Sequence, residues 1–508
     1  MRFLASAALL CGALASAVSS TADSNSTSST SARVVLPSDF APPKVFKNTN
    51  LLRNINLEKG YVRDQVNVVI ENTSDKPQTE YYVPFATDIV GKVGGLEAWD
   101  KNDAQKSRFK IESTEYLPSR LVVTFRLCFT QGCSATSGKT TPVSTKNIIC
   151  YSPTQFYVVR LPNALAPSAQ LTLSINYYLL SALQPLPAAI GQEDKQFLSY
   201  SFSAYAPSAY PTDNQKTKVK FPGVDVPDYT RTSGLKSGED PERQGSTFTY
   251  GPYKTTKVAP GTVEPITVRY EFTKPIITCS LLERDIEVSH WGGNLATEDR
   301  FWLRNDGARL ANHFSRVSWT MKAYHGDPTS AMSKLKIPLN PGSVDPYFVD
   351  DIGNVSTSGF QPGRGNREAV LELQPRYPVF GDWKYSFKVG WNNALSSFLR
   401  KSASGSGESY VLKVPFLEGP KGSEGVQYES MQTRIVLPEG ATNVKFDIVD
   451  GFGLPNEVHS EIGLYKTFMD TIGRTVLKLS ASNIADEARG SQIIVCIHVS
   501  FYLFTFLP

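Results

Sequence analysis

Histidine is scarce in this chain: five residues in 508, with only five Met and six Cys beside them. His290, His313, His325, His459 and His498 are scattered, without metal-ligand spacing. No H-E-x-x-H occurs, which excludes the zincin type of site. The G-x-S-x-G nucleophile elbow is missing, as is the G-x-x-x-x-G-K-[ST] phosphate loop. "GGNLATE" is Gly-rich but lacks the G-x-G-x-x-G of a dinucleotide-binding turn. Neither sign of charge dominates: 52 Lys and Arg face 48 Asp and Glu, a net charge of +4. With no Lys/Arg block and no basic stripe carrying interleaved aromatics, nucleic acid is not an expected partner. No cofactor is implied either, and "VDPYFVDDIGN" reads as an acidic turn rather than a calcium loop, since it lacks the EF-hand pattern.

What is present begins at the N-terminus. "MRFLASAALLCGALASAVSS" has one Arg, an apolar run from Phe3 to Ala15, and small residues at Ala13, Ala15 and Ala17. This is the layout of a secretory signal peptide, expected over residues 1–19, and the run is short of the roughly 20 apolar residues that span a bilayer. Residues 20–33 are Ser/Thr-rich and are expected to be disordered. Losing Cys11 with the signal leaves Cys128, Cys133, Cys150, Cys279 and Cys496, too few and odd in number for a disulfide scaffold. The stretch from Cys128 to Cys150 holds no His and no fourth Cys, so a structural zinc site there would be incomplete. A disulfide within that trio is compatible with a secretory compartment, its pairing open. Asn25, Asn72 and Asn354 each head an N-x-[ST] sequon and are the candidate glycosylation sites. Asn72 ("ENTSDKP") and Asn354 ("DDIGNVSTS") both read as turns that would hold a glycan in solvent.

Short runs rich in Val, Ile, Tyr, Phe and Thr recur between Pro, Gly and Asn breaks: "QVNVVIEN", "EYYVPF", "QFYVVRLP", "QLTLSINYYL", "EPITVRYEF", "KLKIPL", "VLELQPRYPVF", "YSFKVGW", "YVLKVPF". They alternate or are β-branched, and long helical periods are scarce. The expected fold is all-β, mostly antiparallel, as two tandem sandwich-like domains over 34–274 and 275–492, with the seam near Pro275. "TKVKFPGVDVPDYT" (217–230) and "TRIVLPEGATNVKFDI" (433–448) hold matching places in the two halves, which suggests a loose internal repeat. In "IEVSHWGGN" (286–294), Ile286, Val288 and His290 would alternate on one strand face. Gly292 and Gly293 would then turn the chain with the φ freedom of glycine, and Trp291 would pack at the sandwich edge. A general-base role for His290 needs partners that the local sequence does not supply.

"IEVSHWGGNLATED", "DDIGNVSTS", "PRYPVFGDWK" and "RIVLPEGATN", preceded by "YAPSAYPTDNQKTKVKFP" and "YGPYK", resemble the ribophorin I family in order over roughly residues 34–490. That family is subunit 1 of the endoplasmic reticulum oligosaccharyltransferase. The resemblance implies a luminal type I membrane protein of the complex that transfers a preassembled glycan from dolichyl diphosphate to Asn in N-x-S/T. It implies an accessory role in complex stability and substrate presentation, without catalysis. The catalytic subunit of such a complex is polytopic with a WWDYG motif; this chain has no WWD tripeptide. The implied partners are the other subunits including that catalytic one, nascent polypeptides, and the endoplasmic reticulum membrane. His290, Trp291, Gly292, Gly293 and Trp383 are then family-signature positions with a structural or docking role, and no catalytic residue carries over.

Two regions depart from the family pattern. Residues 121–152 interrupt a passage that the family would run almost directly from "FKIESTEYLPS" into "TQFYVVRLP", and no acidic residue occurs from Leu117 to Gln192. This resembles translated intervening sequence; a disulfide-closed surface loop is the alternative. At the other end the chain reads "CIHVSFYLFTFLP" where the family continues to a transmembrane helix. Residues 493–508 are therefore expected as an apolar tail, either the remnant of an anchor or a buried terminal strand. The alternative function is a secreted β-sandwich carbohydrate-binding or adhesion protein. A glycosidase would need two carboxylates about 5 to 10 Å apart across a cleft.

Overall fold

The computed structural model describes residues 34–36, 40–104, 106–116, 154–232, 235, 239–256, 258–289, 292–402, 409–449, 451, 453–454, 457–468 and 470–499. The signal peptide, the Ser/Thr-rich segment with Asn25, the insert 121–152, His290, Trp291 and residues 500–508 lie outside them.

The described chain is mostly β and mostly antiparallel. Alternation accounts for it: in Val62–Asn72 ("VRDQVNVVIEN") every second residue is buried, so Val62, Val66, Val68 and Ile70 enter a core while Arg63, Gln65 and Asn67 face outward. Burying each such side chain contributes roughly 1.5–3 kcal/mol. One hydrophobic core runs from Phe46 to Ile276 and a second from Ile277 to Ile497.

Each core is roofed by one large sheet. The seven-stranded sheet of the first half runs, in spatial order, Glu242–Gln244, Thr247–Lys254, Thr212–Lys220, Phe46–Asn56, Val62–Asn72, Gln170–Leu179 and Val93–Asp100. The eight-stranded sheet of the second runs Val458–Tyr465, Arg474–Ala485, Val426–Glu439, Ile277–Val288, Asn294–Asn305, Lys384–Ala394, Val344–Asp350 and Gly353–Asn354. The two follow one topology. In each, an antiparallel hairpin sits in the middle, and its first strand pairs in parallel with a strand much later in the chain. The segments singled out as a repeat occupy equivalent places: Thr217 lies opposite Arg53, and Thr433 lies opposite Arg284. Smaller sheets cover the inner faces.

Three local points are decided by the structure. Gln492–Val499 is a strand held between Ser409–Pro415 and Ala441–Val449, with Ile493, Val495 and Ile497 buried, so for 493–499 the buried-strand reading holds. "VLELQPRYPVF" is strand only over Ala369–Leu373, because Pro375 and Pro378 cannot donate to a ladder. The helix Arg316–His325 was not anticipated; Ser315 caps its first turn by accepting from Ser318 N–H, and Gly326 ends it at φ 70°. Among the described residues no helix is long and apolar enough to cross a membrane.

Candidate functional site

The outer face of the eight-stranded sheet is open and floors a groove of about 620 Å³. Because side chains alternate, Asp285 and Glu287 point into the groove while Arg284 and Ile286 point into the core. Register then sets opposite charges side by side. Asp285 lies opposite Arg434 on the parallel strand and accepts from its Nε at 2.6 Å. Glu287 pairs with Arg474, and Glu298 accepts from the Tyr347 hydroxyl and faces Lys388 Nζ at 3.6 Å. Burial and Glu298 together push the Tyr347 phenol up, so it serves as a donor. All three carboxylates that line the groove are thus engaged.

Beneath the floor lies a buried charge cluster. Arg284 is 1% exposed and Asp299 0%. Arg284 Nη1 donates to both Asp299 oxygens at 3.1 and 2.8 Å, and Nη2 donates to Glu418. Glu418 Oε1 also accepts from Asn340 at 2.9 Å. Burial pushes the Asp299 carboxyl up to about 7, against the opposing pull of Arg284. The first half repeats the arrangement with Arg53, whose Nε and Nη2 donate to Asp64 Oδ2 at 2.8 and 2.6 Å while the Tyr177 hydroxyl donates to the same oxygen at 2.8 Å. Burial and the Asp64 charge push that phenol well above its usual value. Each cluster pins the central hairpin of its sheet to the layers around it.

The singled-out turn closes the central hairpin of the second half, one register step beyond Val288 and Leu295 and two beyond the groove residues Glu287 and Ala296. Ser289 N–H donates to Asn294 O at 2.9 Å, and Ser289 Oγ accepts from Gly292 N–H at 3.1 Å. Among the described residues of the turn, Gly293 alone takes the left-handed region, at φ 59°. Its carbonyl accepts from Leu395 N–H at 2.8 Å. Trp383 stands elsewhere, half-buried in an edge-to-face aromatic group with Phe314, Tyr377 and Phe380 at 5.6–6.4 Å between ring centroids.

The two described sequons differ. Asn354 is exposed on the two-residue edge strand. Asn72 is 1% exposed: its Nδ2 donates to the carbonyls of Lys76 and Leu165 at 2.9 and 2.8 Å, and its Oδ1 accepts from Ser74 N–H and Oγ. Both amide protons are spent on backbone, so a glycan on Asn72 does not fit this fold, contrary to the reading of "ENTSDKP" as an open turn. The acidic turn at 350–351 is likewise committed. Although burial opposes it, Arg376 together with the N–H groups of Ile352 and Gly353 holds the Asp350 carboxyl below its usual range. Among the described residues no group of three His, Cys, Asp or Glu is placed to hold a metal.

One set of interacting residues escaped sequence reasoning: the seam between the halves. The first-half hairpin turn, equivalent to 289–294, presents Lys59 and Tyr61 to Asp486 and Glu487 of the second half. Gly60 N–H donates to Glu424 O at 2.7 Å, and Glu97 Oε1 accepts from Gly453 N–H at 2.9 Å. Burial, Glu487 and Asp486 push the Tyr61 phenol well above its usual value. Nothing local in "LEKGY" signals this, because the partners lie more than 400 residues away.

Comparison with known proteins places this arrangement in context. The family model described as Ribophorin I matches residues 46–505. Over 459 residues the chain is 27% identical to "Dolichyl-diphosphooligosaccharide--protein glycosyltransferase subunit 1" of Schizosaccharomyces pombe, covering 90% of this chain and 89% of that one. It is 33% identical over 333 residues to the protein of that name from Caenorhabditis elegans, covering 65% of this chain and 53% of that one. It is 27% identical over 448 residues to subunit 1B of Arabidopsis thaliana, covering 88% and 85%. The chain belongs to the ribophorin I family.

Proposed function

We propose that this chain is an accessory, non-catalytic subunit of the endoplasmic reticulum oligosaccharyltransferase, lying on the luminal side and supporting protein N-glycosylation. The observation that carries the reading is the end-to-end match to a named subunit 1, across 90% of this chain and 89% of the relative. The groove chemistry agrees with an accessory role. A glycosidase-type or general-base mechanism needs a carboxylate free to take or give a proton. Asp285, Glu287 and Glu298 are instead each held by a cation or a phenol. A broad sheet-floored face with Tyr347 and Tyr465 among paired charges suits passing contact with nascent polypeptide.

The turn carrying His290, Trp291, Gly292 and Gly293 serves in this reading as a docking element for a neighbouring subunit. Its support is the internal repeat: the equivalent turn of the first half, with Lys59 and Tyr61, docks onto the second half. Asn354 carries a glycan, consistent with its exposure. Blue-native electrophoresis of microsomes tests the whole reading. Co-migration with the transferase is expected, and a free monomer would refute it. Purified alone, the chain should transfer no glycan to an acceptor peptide. His290→Ala should leave the activity of the complex largely intact; a loss beyond ~100-fold, the scale of a missing acid or base, would contradict the accessory role.

A further inference from the structure

The edges of the two large sheets are treated very differently. The first-half edge strand Glu242–Gln244 is three residues long, polar and exposed. The far edge of the second-half sheet, Gly353–Asn354, has two residues. Short, polar edges are how soluble proteins avoid unwanted strand pairing. At the position equivalent to Glu242–Gln244, the second half instead carries Val458–Tyr465, eight residues that among the described residues pair on one side only, with Arg474–Ala485. Alternate residues of such a strand point N–H and C=O groups outward, and here no described residue pairs with them. The strand and the turn after it are also apolar on the outside. Ile462 is 56% exposed, Leu464 69%, Tyr465 47%, Phe468 96% and Ile472 57%. The patch adjoins the groove, which Leu464 and Tyr465 line.

We propose that an extended segment of another subunit of the same complex adds to Val458–Tyr465 as a further strand, its apolar side chains covering Leu464, Phe468 and Ile472. The proposal rests on membership of the complex. The kind of partner follows from two features. A row of unpaired main-chain groups is satisfied by another extended backbone; hydrocarbon cannot bond it, and a helix has already spent its own groups. A patch holding a Phe at 96% exposure beside a long edge strand invites aggregation whenever it is bare. That favours a resident subunit over a passing substrate.

Hydrogen exchange of the full chain, isolated and within the purified complex, tests this. Amides of 458–472 are expected to exchange at least tenfold more slowly in the complex. A triple variant, Ile462→Asp, Leu464→Asp and Phe468→Asp, changes only exposed side chains. It is expected to melt with the wild type when isolated yet enter the complex at least tenfold less. Unchanged exchange on assembly, or normal entry of the variant, would overturn the proposal. So would a dimer of the isolated chain that the variant abolishes, which would make the occupant a second copy. Protection of these amides by phospholipid vesicles alone would overturn it in favour of a lipid surface. A wild-type chain that enters no complex would remove the subunit reading and this proposal with it. Entry with bare, fast-exchanging amides would remove this proposal alone.

Discussion

Arg284→Met should be among the most damaging single substitutions in the second half. The guanidinium is 1% exposed and is shared by two buried carboxylates, Asp299 at 0% and Glu418 at 7%. Methionine fills much of the volume but leaves both acids without their cation. Breaking a buried pair from one side costs about 3–5 kcal/mol. With ~2–4 °C per kcal/mol for a unit of 150–250 residues, the melting temperature of this half should fall by roughly 6–20 °C. The pH dependence gives an independent check. Burial raises the Asp299 carboxyl from 3.8 to about 7, so the folded state holds this proton more tightly than the unfolded chain does. The stability from that proton is complete below the unfolded value and is lost as pH rises through about 7. Without Arg284 the pull that opposes burial is gone, so the variant holds the Asp299 proton more tightly than the wild type does and the deficit should shrink between pH 7.5 and pH 5. Calorimetry at the two pH values measures both effects, and adding Asp299→Leu should recover part of the loss. A deficit under ~1 kcal/mol, well below the scale of a broken buried pair, would show that the cluster is not held by its charge. A deficit that grows toward pH 5 would refute the protonation argument.

Endoglycosidase treatment should shift the mobility of the wild type, and Asn354→Gln should remove a glycan that Asn72→Gln does not; a shift lost with Asn72 would mean that its buried amide is not as placed. Asn72→Gln should instead cost about 1–3 kcal/mol, seen by denaturant titration, because the added methylene carries the amide past the carbonyls of Lys76 and Leu165. Deleting 121–152 should leave folding intact or improve it: Lys110–Tyr116 and Thr154–Leu165 are antiparallel neighbours, with Ser113 opposite Tyr157, so the remaining five residues between them can close a hairpin. A melting temperature lower by more than ~5 °C would assign the segment to the fold. Gly94→Ala should loosen the seam between the halves, since the added carbon would clash with the Asn483 backbone carbonyl; about 1–3 kcal/mol of lost stability and faster proteolysis between the halves are expected, and wild-type resistance would show that the seam adapts.

By itself the sequence carried the strands, the all-β class and the repeat. Period-two alternation is local, and segments such as "QLTLSINYYL" and "TRIVLP" declare a buried face whatever they pack against. The ordered signature series made the family legible as well. The cap signals of the helix Arg316–His325 were present in Ser315 and Gly326 but were obscured by a short segment with no buried residue and hence no clear apolar period. Exposure at Asn72 could not be read, because its fate depends on Leu165, a residue 93 positions away. For residues 493–499 the sequence leaves anchor remnant and buried strand both open, because an apolar run does not reveal whether two strands stand ready to flank it. Only the tertiary structure decided which Arg meets which acid. A one-residue change of register would have sent Arg284 into water and Asp285 into the core. The seam through Lys59 and Tyr61 and the apolar edge at Val458–Tyr465 likewise arise from strand order, which sets residues hundreds of positions apart side by side and, among the described residues, leaves this long edge without a neighbour.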